Sequence, residues 1–438
     1  MSFPRYPTYK DSGVEWLGEV PGHWKVTQGR RLFTQEREPA LPSDDQLSAT
    51  QKYGVVPQKL FMEMEDQKVT LALSGLDNFK HVEADDFVIS LRSFQGGIER
   101  SKYPGCVSPA YTVLRSVEPI DASFFGYMLK SRGYIEALQT MTDGIRDGKN
   151  ISYQQFGQIR LPDIPLADQT QIAAFLDRET AKIDALVAEQ RRLMDLLKEK
   201  RQAVISHAVT RGMNPHAPMK PSGIDWLGDV PEHWDVIPLK RLISTPVIDG
   251  PHETPTKWDE GIPFVSAEAI SKGFINFEKI WGHISQHDHA QYSKRYKPIY
   301  GDLLLVKLGA TAGTIAIVET NLDFNIWVPL AAIRVKSDID PRFVLHTLRS
   351  DNFRIAFELS WTFGTQQTLG LRTISNLPIP VPPRMEREEI VMHLDSILPS
   401  FETLSAEAQR AIDLLQERRI ALISAAVTGQ IDVRNVVQ

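Results

Sequence analysis

The residues of this chain best suited to chemistry are long polar side chains on glycine-containing loops, and their chemistry is hydrogen bonding. Arg92 ends the apolar run 86–92, and Ser93 and Gln95 follow it, ahead of Gly96 and Gly97. Lys307 and Thr311 stand at the end of a similar run, 302–308, with Gly309 and Gly313 around them. A second pair of polar loops carries Arg146, Lys149 and Asn150 in segment 143–150, and Thr365, Gln366 and Gln367 in segment 363–368. Arg and Lys can pair with guanine O6 and N7, and Gln or Asn bidentately with adenine. Glycines let such loops come close to a groove or a phosphate. The same places are polar in both halves of the chain while their identities differ, as two related readers of different sequences would require.

Motifs for catalysis are missing. There is no Gly-x4-Gly-Lys-Ser/Thr loop for a nucleoside triphosphate and no Gly-x-Gly-x-x-Gly fingerprint. Pro382-Pro383 sits between Val381 and Arg384, so it is not the Asp/Asn-Pro-Pro-aromatic motif of amino-methyltransferases. His283, His287 and His289 are too loosely spaced for a metal site and read as a surface loop. The single cysteine, Cys106, allows no disulfide within the chain and no Cys-based metal cluster. Together with a polar, proline-rich opening that lacks a signal core, this points to a cytoplasmic protein.

The net charge of −6 does not advertise nucleic-acid binding. Its distribution is more telling. Residues 27–160 hold 16 Lys and Arg against 17 Asp and Glu, and residues 237–376 hold 15 against 14. The acidity lies in the segments between and after these blocks. Electrostatic attraction to a duplex would be weak from this chain alone, which favours a basic partner.

What must position the loops is a repeat. Ser12-Gly-Val-Glu-Trp-Leu-Gly-Glu-Val-Pro-Gly-His-Trp-Lys-Val26 returns as Ser222-Gly-Ile-Asp-Trp-Leu-Gly-Asp-Val-Pro-Glu-His-Trp-Asp-Val236, with ten of fifteen positions identical. Segment 196–210 returns at 414–428. Each copy therefore runs from a Trp-Leu-Gly…His-Trp opening, through a variable block, to a long helix. In the first helix Ile172, Leu176, Ile183, Leu186, Leu193, Leu197 and Val204 follow alternating spacings of three and four. Ile390, Leu394, Ile397, Phe401, Leu404, Ala408, Ala411, Leu415 and Leu422 do the same in the second, which predicts a coiled-coil seam. Pro399 should kink the second helix. Strands are predicted over 86–92 and 302–308, and over the matched runs 107–114 and 327–333. Trp16, Trp24, Trp226 and Trp234 lie in nearly identical acidic surroundings, so they are assigned to packing on the helices or to partner binding, not to base stacking.

With these residues assembled, the chain resembles the specificity subunit of Type I restriction–modification systems. The likeness runs from Trp16 to Thr428. It is carried by the two Trp-Leu-Gly-x-Val-Pro-x-His-Trp openings, the Gly-Cys-Val-Ser-Pro-Ala-Tyr run at 105–111 and the Asp302-Leu-Leu strand. The Pro-x-Pro approaches to Gln171-Ile172 and Glu389-Ile390 complete it. The resemblance implies an α+β fold: two mixed α/β target-recognition domains separated by two long antiparallel coiled-coil helices, with an internal pseudo-two-fold repeat. Residues 1–162 would form the first domain, 163–212 the first helix, 213–383 the second domain, and 384–438 the second helix and tail. Each domain would read one half of a bipartite site in double-stranded DNA, through the polar loops above. The helices would set the spacer and dock two adenine methyltransferase subunits, and restriction subunits that translocate DNA would join them. S-adenosylmethionine and ATP would be used by those partners, so this chain is expected to hold no cofactor and to catalyse nothing. A self-contained methyltransferase or nuclease, or a plain coiled-coil scaffold, are the rival readings.

Overall fold

The computed structural model describes residues 3–65, 78–90, 96–140, 151–363 and 367–434. The chain divides into two compact units, residues 1–190 with 409–438, and residues 191–408. Each unit thus takes one part of each long helix. Among the described residues no helix is long and apolar enough to cross a membrane.

The first unit opens with a hairpin, Tyr9–Asp11 against Glu19–Pro21, whose connection turns through Gly13 and Gly18 at positive φ. Lys25–Gln28 then pairs antiparallel with Arg160–Asp163, so the variable block begins and ends on one ladder. Inside the block lies a four-stranded antiparallel sheet in the order Phe33–Glu36, Thr112–Ser116, Phe87–Ile89, Ile98–Arg100. One face packs on helices Ala122–Met128 and Arg132–Thr140 through Phe33, Phe87, Phe125 and Phe156, with Phe33 edge-on to the other three rings. The other face packs Val88 and Val113 on Leu47, Val55, Val82 and Val107. Burial on both faces is why Phe87-Val-Ile89 reads as an unbroken apolar run instead of an alternating one.

The second unit repeats this plan. Met219–Pro221 pairs with Asp229–Pro231, and Asp235–Pro238 with Pro378–Val381. The four-stranded sheet runs Ile248–Asp249, Leu330–Ile333, Leu303–Val306, Ile315–Ile317, and is covered by helices Pro341–Leu348 and Asp351–Ser360. Its far face carries an extra three-stranded sheet of Gly282–Ile284, Ile262–Val265 and Asn325–Ile326. In both units an aspartate at the head of the central strand is buried and held by an arginine of the neighbouring strand. Arg115 grips Asp86 at 2.9 Å, and Arg334 grips Asp302 at 2.7 Å. An arginine–carboxylate fork of this kind fixes strand register as well as satisfying the buried charge.

Three predicted strands come out shorter than expected: segment 302–308 narrows to Leu303–Val306, and the other two are interrupted at prolines. Segment 107–114 breaks at Ser108–Ala110 into the separate strands Gly105–Val107 and Thr112–Ser116, and Pro109, which has no N–H to give a ladder, lies in the break. For the same reason segment 327–333 becomes a strand only from Leu330, after Pro329.

The helices span Leu166–Arg211, 46 residues, and Arg384–Val427, 44 residues. In the first unit Ile172, Phe175 and Leu176 share a core with Leu422, Ile423, Ala426 and Val427, so the start of one helix packs on the end of the other. In the second unit Ile205, Ala208 and Val209 share a core with Ile390, Val391, Leu394 and Leu398. Both pairings are antiparallel. The predicted seam is displaced towards the middle of each helix: Val187, Leu398 and Ile412 are buried, whereas Leu186, Leu193 and Leu404 are exposed. A straight helix at 3.6 residues per turn drifts from a 3.5-residue repeat, and here the drift is not taken up by continuous supercoil packing. Pro399 does not end the second helix. It lies on the exposed side, and the Thr403 hydroxyl donates to its carbonyl at 3.0 Å.

The repeated opening segments lock onto the helices. Trp24 and Trp234 are fully buried. Trp24 lies over the helix exit at Gly429, where a Cβ would meet Trp24 at 2.9 Å and Pro21 at 2.4 Å, and Gly429 turns at φ +75. Trp234 lies likewise over Gly212, at φ +77. Glycine is required at both exits for the turn and for the indole. His23 Nε2 meets Asp168 at 2.8 Å and His233 Nε2 meets Glu386 at 2.8 Å, each acid standing in the first turn of a long helix. The longer Glu386 also accepts from Trp234 Nε1 at 3.1 Å. The shorter Asp168 leaves Trp24 Nε1 without a partner. Trp24→Ala should cost the first unit about 3–5 kcal/mol, as for other deletions of large buried rings. Urea unfolding of the full chain will show this as an earlier first transition, and an unmoved one would mean that the indole is not what closes the unit.

Candidate nucleic-acid interface

Of the loop residues singled out by the sequence, Lys307, Thr311 and Gln367 lie among the described residues. Arg92, Ser93, Gln95, Arg146, Lys149, Asn150, Thr365 and Gln366 lie outside them. The geometry of the interface is therefore built from the second unit.

There the two candidate loops meet. The strand Leu303–Val306 runs out at Lys307, and the chain turns through Gly309 at φ +97 and Gly313 at φ +94, conformations that favour glycine. Thr362–Phe363 and Gln367–Thr368 form a short antiparallel ladder beside that turn. Gly309 N donates to Gln367 O at 3.2 Å and Leu369 N donates to Lys307 O at 2.7 Å. Segments far apart in sequence are thus hydrogen-bonded into one surface. Thr311 is exposed on it and Gln367 half-buried.

Lys307 is placed differently from the other two. It is 9% exposed, and its ammonium lies 3.3 Å from Asp249. Asp249 is itself buried and also takes Arg295 at 2.8 Å and His252 at 3.1 Å. A carboxylate buried beneath the loop end therefore gathers three basic side chains. Sequence reading missed this centre because its members are spread from 249 to 307 with no periodicity. The next residue, Gly250, offers only a weak hint. A Cβ there would meet the Ile326 carbonyl at 2.1 Å, so the chain passes strand Asn325–Ile326 at a distance that only glycine allows.

Aromatic and phenolic groups surround the same region. Tyr292, beside Asp249 and Arg295, is pushed up to about 12 by burial and by its contact with Glu253. Tyr296 donates to Asp302 at 2.6 Å, and burial with that carboxylate holds its proton firmly. His283 lies in strand Gly282–Ile284, and His287 and His289 lie in helix Gln286–Ser293, not in the surface loop expected from sequence. The Ser285 side chain caps that helix by accepting from Asp288 N, which nucleates it. His289 Nδ1 pairs with Asn325 at 2.7 Å.

Asp249→Ala should leave the buried Lys307 ammonium without its counter-charge, at a cost of about 3–5 kcal/mol in stability. Thermal unfolding tests this. A loss below about 1 kcal/mol, the range of exposed ion pairs, would show that water already solvates the centre.

Comparison with known proteins fits this architecture. Residues 231–411 match the Type I restriction modification DNA specificity domain. The chain is 26% identical over 306 residues to the Type I restriction enzyme EcoBI specificity subunit of Escherichia coli, a match spanning 68% of this chain and 64% of that relative. It is 23% identical over 332 residues to the EcoKI specificity subunit of Escherichia coli strain K12, covering 73% of this chain and 68% of the relative. Among solved structures, a chain from work on complex assembly and conformational transition of the type I R-M system superposes with a TM-score of 0.70 at 16% identity, covering 93% of this chain and 98% of that one. The HsdS subunit from Thermoanaerobacter tengcongensis superposes at 0.55 with 17% identity, over 94% of this chain and 98% of that one. The match places a Type I restriction modification DNA specificity domain at residues 231–411, and the fold of the whole chain is shared with these solved chains.

Proposed function

We propose that this chain reads double-stranded DNA for a Type I restriction–modification complex and is not itself a catalyst. The observation that carries the reading is the convergence of two glycine-led polar loops in the second unit, where Gly309 N meets Gln367 O at 3.2 Å. Each unit reads one half of a bipartite site. The second uses Thr311, Thr365, Gln366 and Gln367, with Lys307 supporting the loop from Asp249. The first uses Arg92, Ser93, Gln95, Arg146, Lys149 and Asn150. Side chains of these types can give base-edge contacts, and near-neutral blocks leave much of the phosphate attraction to partners.

The long helices serve as spacer and as docking surface for two adenine methyltransferase subunits, which restriction subunits then join. Support comes from large apolar side chains left uncovered on both helices, Leu186, Leu193, Leu196, Leu404 and Leu414, each between 41% and 65% exposed. Uncovered apolar side chains on a helix suit a partner helix. S-adenosylmethionine and ATP act in those partners.

Gln367→Ala should relax recognition in one half-site, by about 1–3 kcal/mol of discrimination, and leave the other intact. Methylated-adenine sequencing in cells carrying the complete system reads both halves at once. Equal weakening of both would overturn the assignment of one unit to one half-site. A heptad inserted in each helix, after Met194 and after Ala408, adds about 10 Å of helix and nearly preserves the seam. At about 3.4 Å per base pair the unread spacer should grow by about three base pairs, with the same bases read on either side. A folded variant with an unchanged spacer would show that the helices are not the ruler.

A further inference from the structure

The second unit holds a half-open cavity of about 690 Å³, whose lining includes Arg201 and Arg349. Arg349 follows helix Pro341–Leu348 and is fixed by its own hydrogen bonds. Its Nη2 donates to the carbonyls of Ile315, at 2.8 Å, and Gly273, and its Nε also donates to Ile315. Among the described residues no partner is recorded for Nη1. Arg201 comes from the first long helix and has only a loose pairing with Glu402, at 3.9 Å.

The first unit contains the corresponding cavity, about 610 Å³, with Lys130 in the place of Arg349 and Arg419 in the place of Arg201. There the chain supplies its own counter-charge. Glu99, 3% exposed on strand Ile98–Arg100, forms an ion pair with Lys130. Glu99 lies opposite Val88 on its ladder, and the residue in the same place in the second unit, opposite Leu304, is Ala316. The cation is kept and its carboxylate is lost.

The second cavity is lined by four cations, Arg201, Lys272, Arg342 and Arg349, against three carboxylates, Glu319, Asp395 and Glu402, so one positive charge is in excess. Arg342 is committed to Asp395 at 2.5 Å, so that acid is spent. His346 is 5% exposed, and both its ring nitrogens are buried without a hydrogen bond, the nearest carboxylate oxygen of Asp395 standing 3.6 Å away. Burial and the neighbouring Arg349 cation push the His346 imidazole down to about 4, with Arg201 adding to the effect and Asp395 opposing it. Burial and Arg201 together lower Arg349 itself to about 10, against the weaker pull of Glu319 and Glu402.

We propose that this cavity binds a phosphate-type oxyanion between Arg349 and Arg201, in the place that Glu99 fills with a carboxylate in the first unit. The neutral His346 ring donates one N–H to it. Phe274 and Phe277 also line the cavity, and an apolar group attached to the phosphate would pack on them. The inference does not depend on the DNA-reading assignment, and its test uses no DNA.

The full chain is titrated with inorganic phosphate and, in a second arm, with adenosine monophosphate, and binding is followed by calorimetry and by the NMR signal of the His346 ring. One equivalent should bind saturably, and the His346 titration should move upward because the bound anion favours the protonated ring. Arg201→Met and Arg349→Met should each weaken binding about tenfold or more, the effect of one lost charge-assisted hydrogen bond. Arg419→Met, in the cavity that already holds Glu99, should leave binding unchanged. Tighter binding of the nucleotide identifies an esterified phosphate as ligand, and equal binding identifies the free ion. Absence of saturable binding in both arms, or binding indifferent to Arg201→Met, overturns the proposal. Arg349→Lys replaces Arg349→Met should the latter fail to fold.

Discussion

Everything in this chain depends on an indole seated on the exit of a long helix. A helix of more than forty residues cannot bury an apolar stripe by itself, and neither can a small mixed sheet. Trp24 and Trp234 join the two problems, since each ring is buried against a glycine that ends a helix. The histidine before each indole reaches the first-turn acid of a long helix, Asp168 or Glu386. Ring and imidazole together therefore grip the end of one helix and the beginning of the other. The ring contributes by burial, which is large and undirected, and the imidazole contributes direction. In the first unit the helix exit comes from the last residues of the chain: the Tyr9 hydroxyl donates to Gly429 O at 3.1 Å and Asp432 N donates to Pro4 O at 2.8 Å. That core therefore joins residues 422–433 to the opening segment, a closure between parts far apart in sequence.

The duplicated pairs separate frame from variation. Asp86–Arg115 and Asp302–Arg334 hold the central strands. Arg419–Asp184 and Arg201–Glu402 link the two helices within each unit. The loops at the strand ends, by contrast, share polarity and glycine but not side chains. A contact that positions the chain tolerates little change in geometry, whereas a contact that reads a base must change with the base. Glu99 and Ala316 are informative because they break this rule inside the frame: an internal pair survives in one copy as half a pair.

How much of this could be read in the sequence follows from which forces are local. The repeat, the long helices and the structural role of the tryptophans were legible, because periodicity and identity between copies report directly on burial. The register of the helix seam was not. Leu186 and Val187 are adjacent and both apolar, and a drift of one position along the helix is enough to put Val187 inside and Leu186 outside. Strand ends differ from the apolar runs where Pro109 and Pro329 interrupt them, because a proline has no N–H to give the ladder. The Asp249 centre is not legible, because three basic side chains converge on it from different segments and nothing in their spacing records the convergence. Of the candidate contact residues, Thr311 and Gln367 come together through backbone hydrogen bonds that no side-chain pattern encodes.

The spacing between equivalent residues shows where the copies were free to diverge. It is 210 from Trp24 to Trp234, 216 from Asp86 to Asp302, 219 from Arg115 to Arg334, and 218 from Asp168 to Glu386. Most of the added length falls between the opening segment and the central strand. In the second unit that interval builds the sheet of Ile262–Val265 and Gly282–Ile284 on the face of the core sheet away from the helices. In the first it builds the hairpin Leu47–Thr50 with Gly54–Pro57 and the strand Lys80–Val82, which pairs with Gly105–Val107 from beyond the central strand. Both additions cover the same apolar face with different material, so length could change there without disturbing the helix-facing core. The face that packs on the helices has no such freedom, because each residue inserted there would rotate every later side chain out of its pocket. Divergence is therefore confined by packing to the side of each unit remote from the helices, together with the loops at the strand ends.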